Sequence, residues 1–228
     1  MPKVLLFDVF GTLVDWRGSI AAELLPLLGR SRAEAFAEAW RAQYQPAMEE
    51  VRAGRLPFCK LDVLHRRNLD LVLKDFGLDH LDEAARRELN LAWHRLAAWP
   101  DVGAALERLR QRFRLAPCSN GNISLMADLA RLNGWHWDAI TGAELARDYK
   151  PKAIVYLTAA LAFDAAPEDA LMVAAHSADL AAARAAGLTT AFIARPDEHG
   201  PGRGESRAVG PVDYEAQSLT ELADMLGC

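Results

Sequence analysis

Four places along the chain carry polar side chains directly after an apolar run, a loop or a turn. They are Asp8, the pair Ser119-Asn120, Lys150, and the turn from His176 to Asp179. Ligands of open parallel sheets bind beyond the carboxyl ends of the strands, so these positions are expected to converge on one site. Asp8 alone would be interpreted as a turn former or a helix cap. Four compatible positions together instead indicate a polar site built around a carboxylate.

The segments that hold these positions predict alternating strands and helices. Residues 4–7 form an apolar run typical of a buried strand. From residue 100 onward, strand-like and helix-like segments alternate, which predicts a parallel sheet covered on both faces. The expected strands are 115–118, 139–141, 170–174 and 190–194, and the expected helices are 102–113, 124–132, 153–163, 178–186 and 218–226.

Between about residues 18 and 98 the pattern is purely helical, with helices expected at 33–51, 58–76 and 82–97. An isolated first strand could not satisfy its backbone, so the helical segment is interpreted as an insertion after that strand. We predict an α/β fold with a Rossmann-like, doubly wound parallel sheet core (residues 1–15 plus 98–228). Residues 16–97 form an inserted α-helical cap domain in this prediction. Residues 196–211, rich in Gly, Pro and charge, are expected to form an exposed loop.

Composition excludes several classes of partner. The 228 residues carry 31 acidic and 26 basic side chains, a net charge of −5 that gives no general attraction for nucleic acid or anionic lipid. No apolar run approaches the ~20 residues of a membrane span, and the first apolar stretch is too short for a signal peptide. The cysteines are three, scattered and odd in number, so we expect a cytoplasmic protein without disulfides.

The same positions resemble the ordered signatures of the haloacid dehalogenase superfamily. Residues Phe7 to Leu13 are similar to its first motif, and Ser119-Asn120-Gly121 to its second. Tyr149-Lys150-Pro151 resembles the third motif, and Val173 to Gly187 the fourth. The motifs occur in the right order and cover nearly the whole chain.

The superfamily consists mostly of magnesium-dependent phosphatases, which place a second Asp two residues after the nucleophile to protonate the leaving group. Phe10 occupies that position here, and Ala175 occupies the place of an early acidic metal ligand in the fourth motif. The pattern instead resembles the L-2-haloacid dehalogenase branch, which lacks the second Asp and typically has an aromatic residue at its position. The cap segment Trp40-Arg41 with Gln43 and Tyr44, and Tyr156 six residues after Lys150, match that branch as well.

The resemblance implies metal-independent hydrolysis of a small 2-haloacid (a haloacetate or an L-2-haloalkanoate), in which Asp8 forms an ester and water releases the 2-hydroxy acid. Lys150 would keep Asp8 ionised, while Thr12 and Asp179 would hold the lysine and position the water. The expected substrate-binding residues are Phe10, Arg41, Ser119, Asn120, Tyr156 and His176. Among these, Ser119 would bind the carboxylate, and Arg41 with Asn120 would receive the halide. The resemblance implies no cofactor, no metal, a halogenated acid and halide as partners, and a homodimer.

Three positions depart from the branch. Ala174 and His176 stand where Ser and Asn are common, and Ala178 replaces an aromatic residue. We expect His176 to supply the hydrogen bond of the missing Asn and to suit a smaller haloacid. Two alternatives remain open at this point: a magnesium-dependent phosphatase, and a non-catalytic relative that binds a small acid or a protein.

Overall fold

Eight short strands form two sheets in the computed structural model, which describes residues 1–228. The strands are β1 (Val4–Phe7), β2 (Val14–Asp15), β3 (Ala97–Ala98), β4 (Arg114–Ser119), β5 (Thr141–Gly142), β6 (Ala170–Ala174), β7 (Thr189–Ile193) and β8 (Tyr214–Ala216). Six of them make one sheet in the order β5-β4-β1-β6-β7-β8. Every neighbouring pair in it is parallel. The predicted α/β class is therefore confirmed.

Strand β1 lies near the centre of this sheet, and all four of its residues are fully buried. A continuous apolar run is what a strand buried on both faces requires. Phe7 is in register with Pro117 on one neighbour and with Val173 on the other. The residues that follow these three positions therefore emerge together at one edge of the sheet.

Eleven α-helices cover the sheet and build the helical segment. They are α1 (Trp16–Leu28), α2 (Arg30–Ala42), α3 (Tyr44–Arg52), α4 (Leu61–Leu73), α5 (Glu83–Asn90), α6 (Val102–Leu109), α7 (Ile123–Asn133), α8 (Ala143–Ala146), α9 (Ala153–Leu161), α10 (Ser177–Ala185) and α11 (Leu219–Met225). The first five follow β1 and β2 directly, as an insertion would. Side chains cap several of them: Asp15 accepts from the backbone N–H of Gly18, and Ser218 from that of Glu221. None of the helices is both long and apolar enough to span a bilayer.

The helical segment differs from the sequence-based expectation in two details. The helix expected at 33–51 is divided at Gln43 into α2 and α3, because Pro46 in the first turn of α3 has no N–H to continue the hydrogen bonds of α2. The segment 82–97 is α-helical to Asn90 and continues as a 3-10 helix to His94, and Ala97–Ala98 pairs antiparallel with β2. The expectation of a strand-free segment was wrong there. The exact division into two domains stays a prediction.

Two hydrophobic clusters fill the space on the two faces of the sheet. Alternate residues of β1 point into each: Leu5 and Phe7 into the larger cluster, and Val4 and Leu6 into the smaller one. The larger cluster continues into the helical segment through Trp40 and Trp93. Because this packed core joins the sheet to the helical segment, helix α2 is held in place over the carboxyl ends of the strands.

The segment after β7 is not the freely exposed loop that its composition predicts. Arg195 is buried, donates from Nε to the carbonyl of Thr12 at 2.8 Å, and pairs with Asp101 at 3.0 Å. Glu198, only 2 % exposed, is also buried. The expectation fails because an ion pair and a backbone hydrogen bond fold the start of this segment back onto the turn that follows β1.

Candidate active site

Asp8 is the first residue after β1, and three side chains donate hydrogen bonds to its carboxylate. Lys150 Nζ lies 2.8 Å from Oδ1, while Thr12 Oγ1 and His176 Nδ1 lie 2.8 Å and 3.1 Å from Oδ2. The Thr12 hydroxyl also accepts from the backbone N–H of Ala175, which fixes its direction. Burial alone would raise the pKa of Asp8, but Lys150 and His176 outweigh it and hold the pKa well below its usual range. Asp8 is therefore an ionised carboxylate with a fixed orientation.

Lys150 joins Asp8 to a second carboxylate. Its ammonium lies 2.6 Å from Asp179 Oδ2 and is 6 % exposed. Burial would lower the pKa of Lys150, but Asp179 and Asp8 raise it well above its ordinary value. The other oxygen of Asp179 accepts from the hydroxyl of Tyr156 at 2.5 Å. This side of the site carries a permanent positive charge between two carboxylates.

His176, the residue before α10, joins Asp8 to a third carboxylate. Its Nε2 lies 2.8 Å from Glu198 Oε2, opposite the Nδ1 contact with Asp8. Burial would lower the pKa of His176, but hydrogen bonds to Asp8 and Glu198 raise it to about 10. The ring is 27 % exposed, so it also reaches the cavity in front of Asp8.

Arg41, in the last turn of α2, lies against three aromatic rings. The guanidinium carbon is 3.9 Å from the ring centre of Tyr44, 5.4 Å from that of Trp16 and 6.0 Å from that of Phe10. Its Nη1 is buried and has no hydrogen-bond partner. A buried cationic donor without an acceptor is costly unless an anion completes it, so this position suits an anionic ligand or leaving group.

A cavity of about 500 Å³ brings most of the expected site residues together. Its walls include Asp8, Phe10, Arg41, Asn120, Lys150, His176 and Asp179. Three other expected residues lie behind the wall. Thr12 and Tyr156 reach the cavity only through Asp8 and Asp179, and Ser119 is fully buried with its hydroxyl oxygen accepting from the N–H of Gly121. The expectation that Thr12 holds Lys150 was wrong, because its hydroxyl donates to Asp8 and accepts from Ala175 instead. The roles of Tyr156 and Ser119 stay predictions.

Phe10 makes the floor of the cavity apolar at the position where a phosphatase needs a proton donor. Its ring is 2 % exposed and packs edge-on against Trp93 and Tyr44, with ring centres 5.7 Å and 6.3 Å away. No group on this ring can protonate a leaving oxygen.

The side chains at the site do not fit a magnesium ion. Magnesium demands a near-octahedral set of oxygen ligands, yet Phe10 and Ala175 offer no side-chain oxygen. One oxygen each of Asp8 and Asp179 is already bonded to the ammonium of Lys150. No group of three or more His, Cys, Asp or Glu side chains is arranged to hold a metal.

Arg52 and Glu205, which line the cavity, are not indicated by any motif of the sequence, and neither is Glu198. Glu198 lies in a Gly- and Pro-rich segment with no periodicity, and no motif accompanies it. The one available signal was His176 itself, since a histidine beside an ionised Asp needs a second partner for its other ring nitrogen. Nothing in the sequence identifies which carboxylate that partner is.

Comparison with known proteins agrees with this geometry. The profile of the haloacid dehalogenase-like hydrolases matches residues 2–187. A solved defluorinating L-2-haloacid dehalogenase has a TM-score of 0.93 and 41 % identity, covering 100 % of this chain and 96 % of its own. A second L-2-haloacid dehalogenase has a TM-score of 0.93 and 44 % identity, covering 99 % and 100 %. The haloacetate dehalogenase H-2 of Moraxella sp. (strain B) is 28 % identical over 196 residues, 85 % of this chain and 86 % of that protein.

Proposed function

The chain belongs to the haloacid dehalogenase-like hydrolases, and from that membership we propose that it is a hydrolase acting on carbon–halide bonds. It converts a small 2-haloacid to the 2-hydroxy acid, as its similarity to L-2-haloacid and haloacetate dehalogenases supports. Those relatives support the substrate class, and the geometry of the site supports the roles proposed for its residues.

In the first step Asp8 attacks the carbon that bears the halogen and forms an ester while the halide leaves. Lys150 and Thr12 hold the carboxylate ionised and aimed, consistent with their contacts at 2.8 Å each. Arg41, with its unpaired Nη1, and Asn120 receive the halide. Donors placed where negative charge develops lower the barrier because they need no reorganisation during the step.

In the second step water attacks the carbonyl carbon of the Asp8 ester. Asp179 takes the proton of that water, and its carboxylate is held by Lys150 at 2.6 Å and Tyr156 at 2.5 Å. The resemblance gives the carboxylate of the acid to Ser119 and the neighbouring backbone amides; because the Ser119 hydroxyl lies behind the cavity wall, the proposal depends on the backbone amides there. The 2-hydroxy acid then leaves with an oxygen that came from Asp8.

The observation that carries this function over phosphoryl transfer is Phe10. A phosphate ester releases an alkoxide that needs a proton, whereas a halide leaves as a stable anion. The apolar ring of Phe10 stands where a phosphatase places its proton donor, so this position favours the second case. A non-catalytic binding protein does not require an ionised carboxylate held by three hydrogen-bond donors at its cavity.

Halide release from chloroacetate, L-2-chloropropionate and fluoroacetate, measured with and without a chelator, tests the proposal. We expect release at equal rates in both conditions and none from Asp8→Asn. Activity abolished by the chelator would favour the phosphatase, and no release from any of the three acids would favour the non-catalytic relative.

Two further expectations belong to this proposal. All three cysteines are free thiols, which supports a reducing compartment such as the cytoplasm. The homodimer that the resemblance implies is also proposed, and sedimentation of the purified chain measures it.

A further inference from the structure

His176 lies between two carboxylates, and this arrangement defines its protonation. Nδ1 faces Asp8 Oδ2 at 3.1 Å, and Nε2 faces Glu198 Oε2 at 2.8 Å. An ionised carboxylate only accepts hydrogen bonds, so both ring nitrogens must carry hydrogen for both contacts to be favourable. The geometry therefore requires an imidazolium.

Glu198 is built into the molecule in a way that fixes its direction. Its carboxylate is 2 % exposed, and Oε1 accepts from Trp16 Nε1 at 3.0 Å. Gly11, at φ +83°, leaves the space that this carboxylate occupies, since a Cβ there would lie 2.1 Å from Oε1. Trp16 therefore donates to the Glu198 carboxylate and Gly11 leaves room for it, yet none of the steps proposed for dehalogenation uses this carboxylate.

We propose that Glu198 is a positioning residue that keeps His176 protonated and directed at Asp8, and that His176 donates a proton to the oxygen that leaves the Asp8 ester. This inference rests on the proposed function, because the ester exists only during dehalogenation. It adds a general acid to the second step, where the product would otherwise leave as an unstable alkoxide.

The protons balance without any further reagent. Water adds to Cγ of Asp8 and passes one proton to Asp179. The Cγ–Oδ2 bond then breaks, and Oδ2 leaves on the product with the proton from His176. Asp8 is left as a carboxylic acid and returns its proton to the neutral ring of His176. The proton on Asp179 goes to solvent, so each turnover releases one proton, one halide and one 2-hydroxy acid.

Glu198 is needed because the ester removes the charge of Asp8. His176 then loses one of its two anionic partners, and Glu198 is the carboxylate that remains in contact with the ring. The other charged or titratable groups around the ring belong to the end of β1, the approach to α9, the first turn of α10, helix α2 and the loop after β7. They are Asp8, Lys150, Asp179, Arg41, Glu205 and His199; Glu205 accepts from the backbone N–H of Ser177, and His199 lies 3.7 Å from Glu198. The raised pKa of His176 and the lowered pKa of Glu198, which burial alone would raise, agree with this balance.

The variant Glu198→Gln tests the proposal with little change of shape. The amide oxygen can still accept from Trp16, while its NH₂ donates to Nε2 and leaves a neutral ring with Nδ1–H on Asp8. We expect a rapid burst of halide equal to the enzyme concentration, followed by turnover slowed about 10-fold or more. The wild-type turnover rate should fall on the alkaline side as His176 loses its proton, and in Glu198→Gln this fall should move to lower pH because the ring has lost its remaining anionic partner.

Glu38→Gln is the matched control, because Glu38 accepts from Arg17 and from Arg203 of the same loop and has no contact with His176. It should retain the wild-type rate and pH profile. The inference is overturned if Glu198→Gln keeps the wild-type pH profile. This holds whether or not the rates of ester formation and ester hydrolysis fall equally.

A readout on the resting enzyme separates this inference from the proposed function. Nitrogen NMR of the His176 ring at about pH 8 should show both nitrogens protonated in the wild type and one in Glu198→Gln. A neutral ring in the wild type would overturn the inference even if halide is released. Absence of halide release with an imidazolium present would overturn the proposed function instead.

Discussion

The two sides of Asp8 are built alike but behave differently. On one side Lys150 lies between Asp8 and Asp179, and on the other His176 lies between Asp8 and Glu198. The ammonium is 6 % exposed, and its pKa is raised well above the ordinary value of lysine. The imidazolium is 27 % exposed, and its pKa is about 10. One cation holds charge permanently, whereas the other can give up a proton within the working range of an enzyme.

This difference separates two tasks that a single cation could not perform. Keeping Asp8 ionised for attack requires a charge that never dissociates. Supplying a proton to the departing product requires a group that does dissociate. Variants that remove or weaken one side at a time should therefore affect the two tasks separately.

Replacing Lys150 by Met should have the largest effect. Breaking a buried ion pair from one side typically costs about 3–5 kcal/mol, because the remaining carboxylates stay buried without a partner. We expect the free energy of unfolding to fall by about that amount and halide release to disappear. Lys3→Met is the control, since the Lys3–Asp169 pair is exposed and such pairs contribute about 0–1 kcal/mol. Equal stability of the two variants in urea denaturation would refute the role of Lys150 as a permanently charged partner of two buried carboxylates.

Replacing His176 by Asn should leave the first step working and slow the second. The amide can donate to Asp8 but cannot transfer a proton, so turnover of chloroacetate should fall about 100-fold while the halide burst persists. His199→Asn, which alters a ring 43 % exposed and without contact to Asp8, should keep the wild-type rate. The ranking of chloroacetate and fluoroacetate should also change, and identical ranking would count against a role of His176 in substrate choice.

Replacing Arg41 by Lys should have a smaller effect on the rate. The charge remains, but the flat guanidinium that stacks on Tyr44 at 3.9 Å is lost, and with it the fixed direction of Nη1. We expect kcat/KM for L-2-chloropropionate to fall about 10-fold, with weaker inhibition by added halide. Arg32→Lys, on the exposed face of the same helix, should change neither. If added halide inhibits Arg41→Lys as strongly as it inhibits the wild type, Arg41 does not bind the halide.

The smallest effect concerns stability at alkaline pH. The pKa of His176 is raised from 6.5 to about 10 in the folded chain. Its contribution to stability is therefore complete below pH 6.5 and is lost as pH rises through about 10. The Tm of the wild type should fall more steeply between neutral pH and pH 10 than that of His176→Asn. Parallel Tm curves for the two proteins would show that the ring is not charged in the folded state.

The site and the fold were predictable to different depths for physical reasons. Strands such as Val4–Phe7 and Ala170–Ala174 are recognisable because they are buried on both faces, and the residues that follow them converge at one sheet edge. The break at Gln43 depends on Pro46, whose missing N–H interrupts a helix without changing the spacing of its apolar residues. The position of Glu198 depends on Arg195, Asp101 and the opening at Gly11, which are tertiary contacts between distant segments. Local patterns carry no information about such contacts.

The central claim is a transient covalent bond between Asp8 and the substrate carbon. A single turnover with excess enzyme in ¹⁸O-labelled water, followed by mass spectrometry of the peptide that contains Asp8, tests it directly. The account predicts one heavy oxygen in the Asp8 carboxylate and none in the first 2-hydroxy acid released. Label in the product, with an unlabelled Asp8, would contradict it, because water would then have attacked the substrate carbon itself.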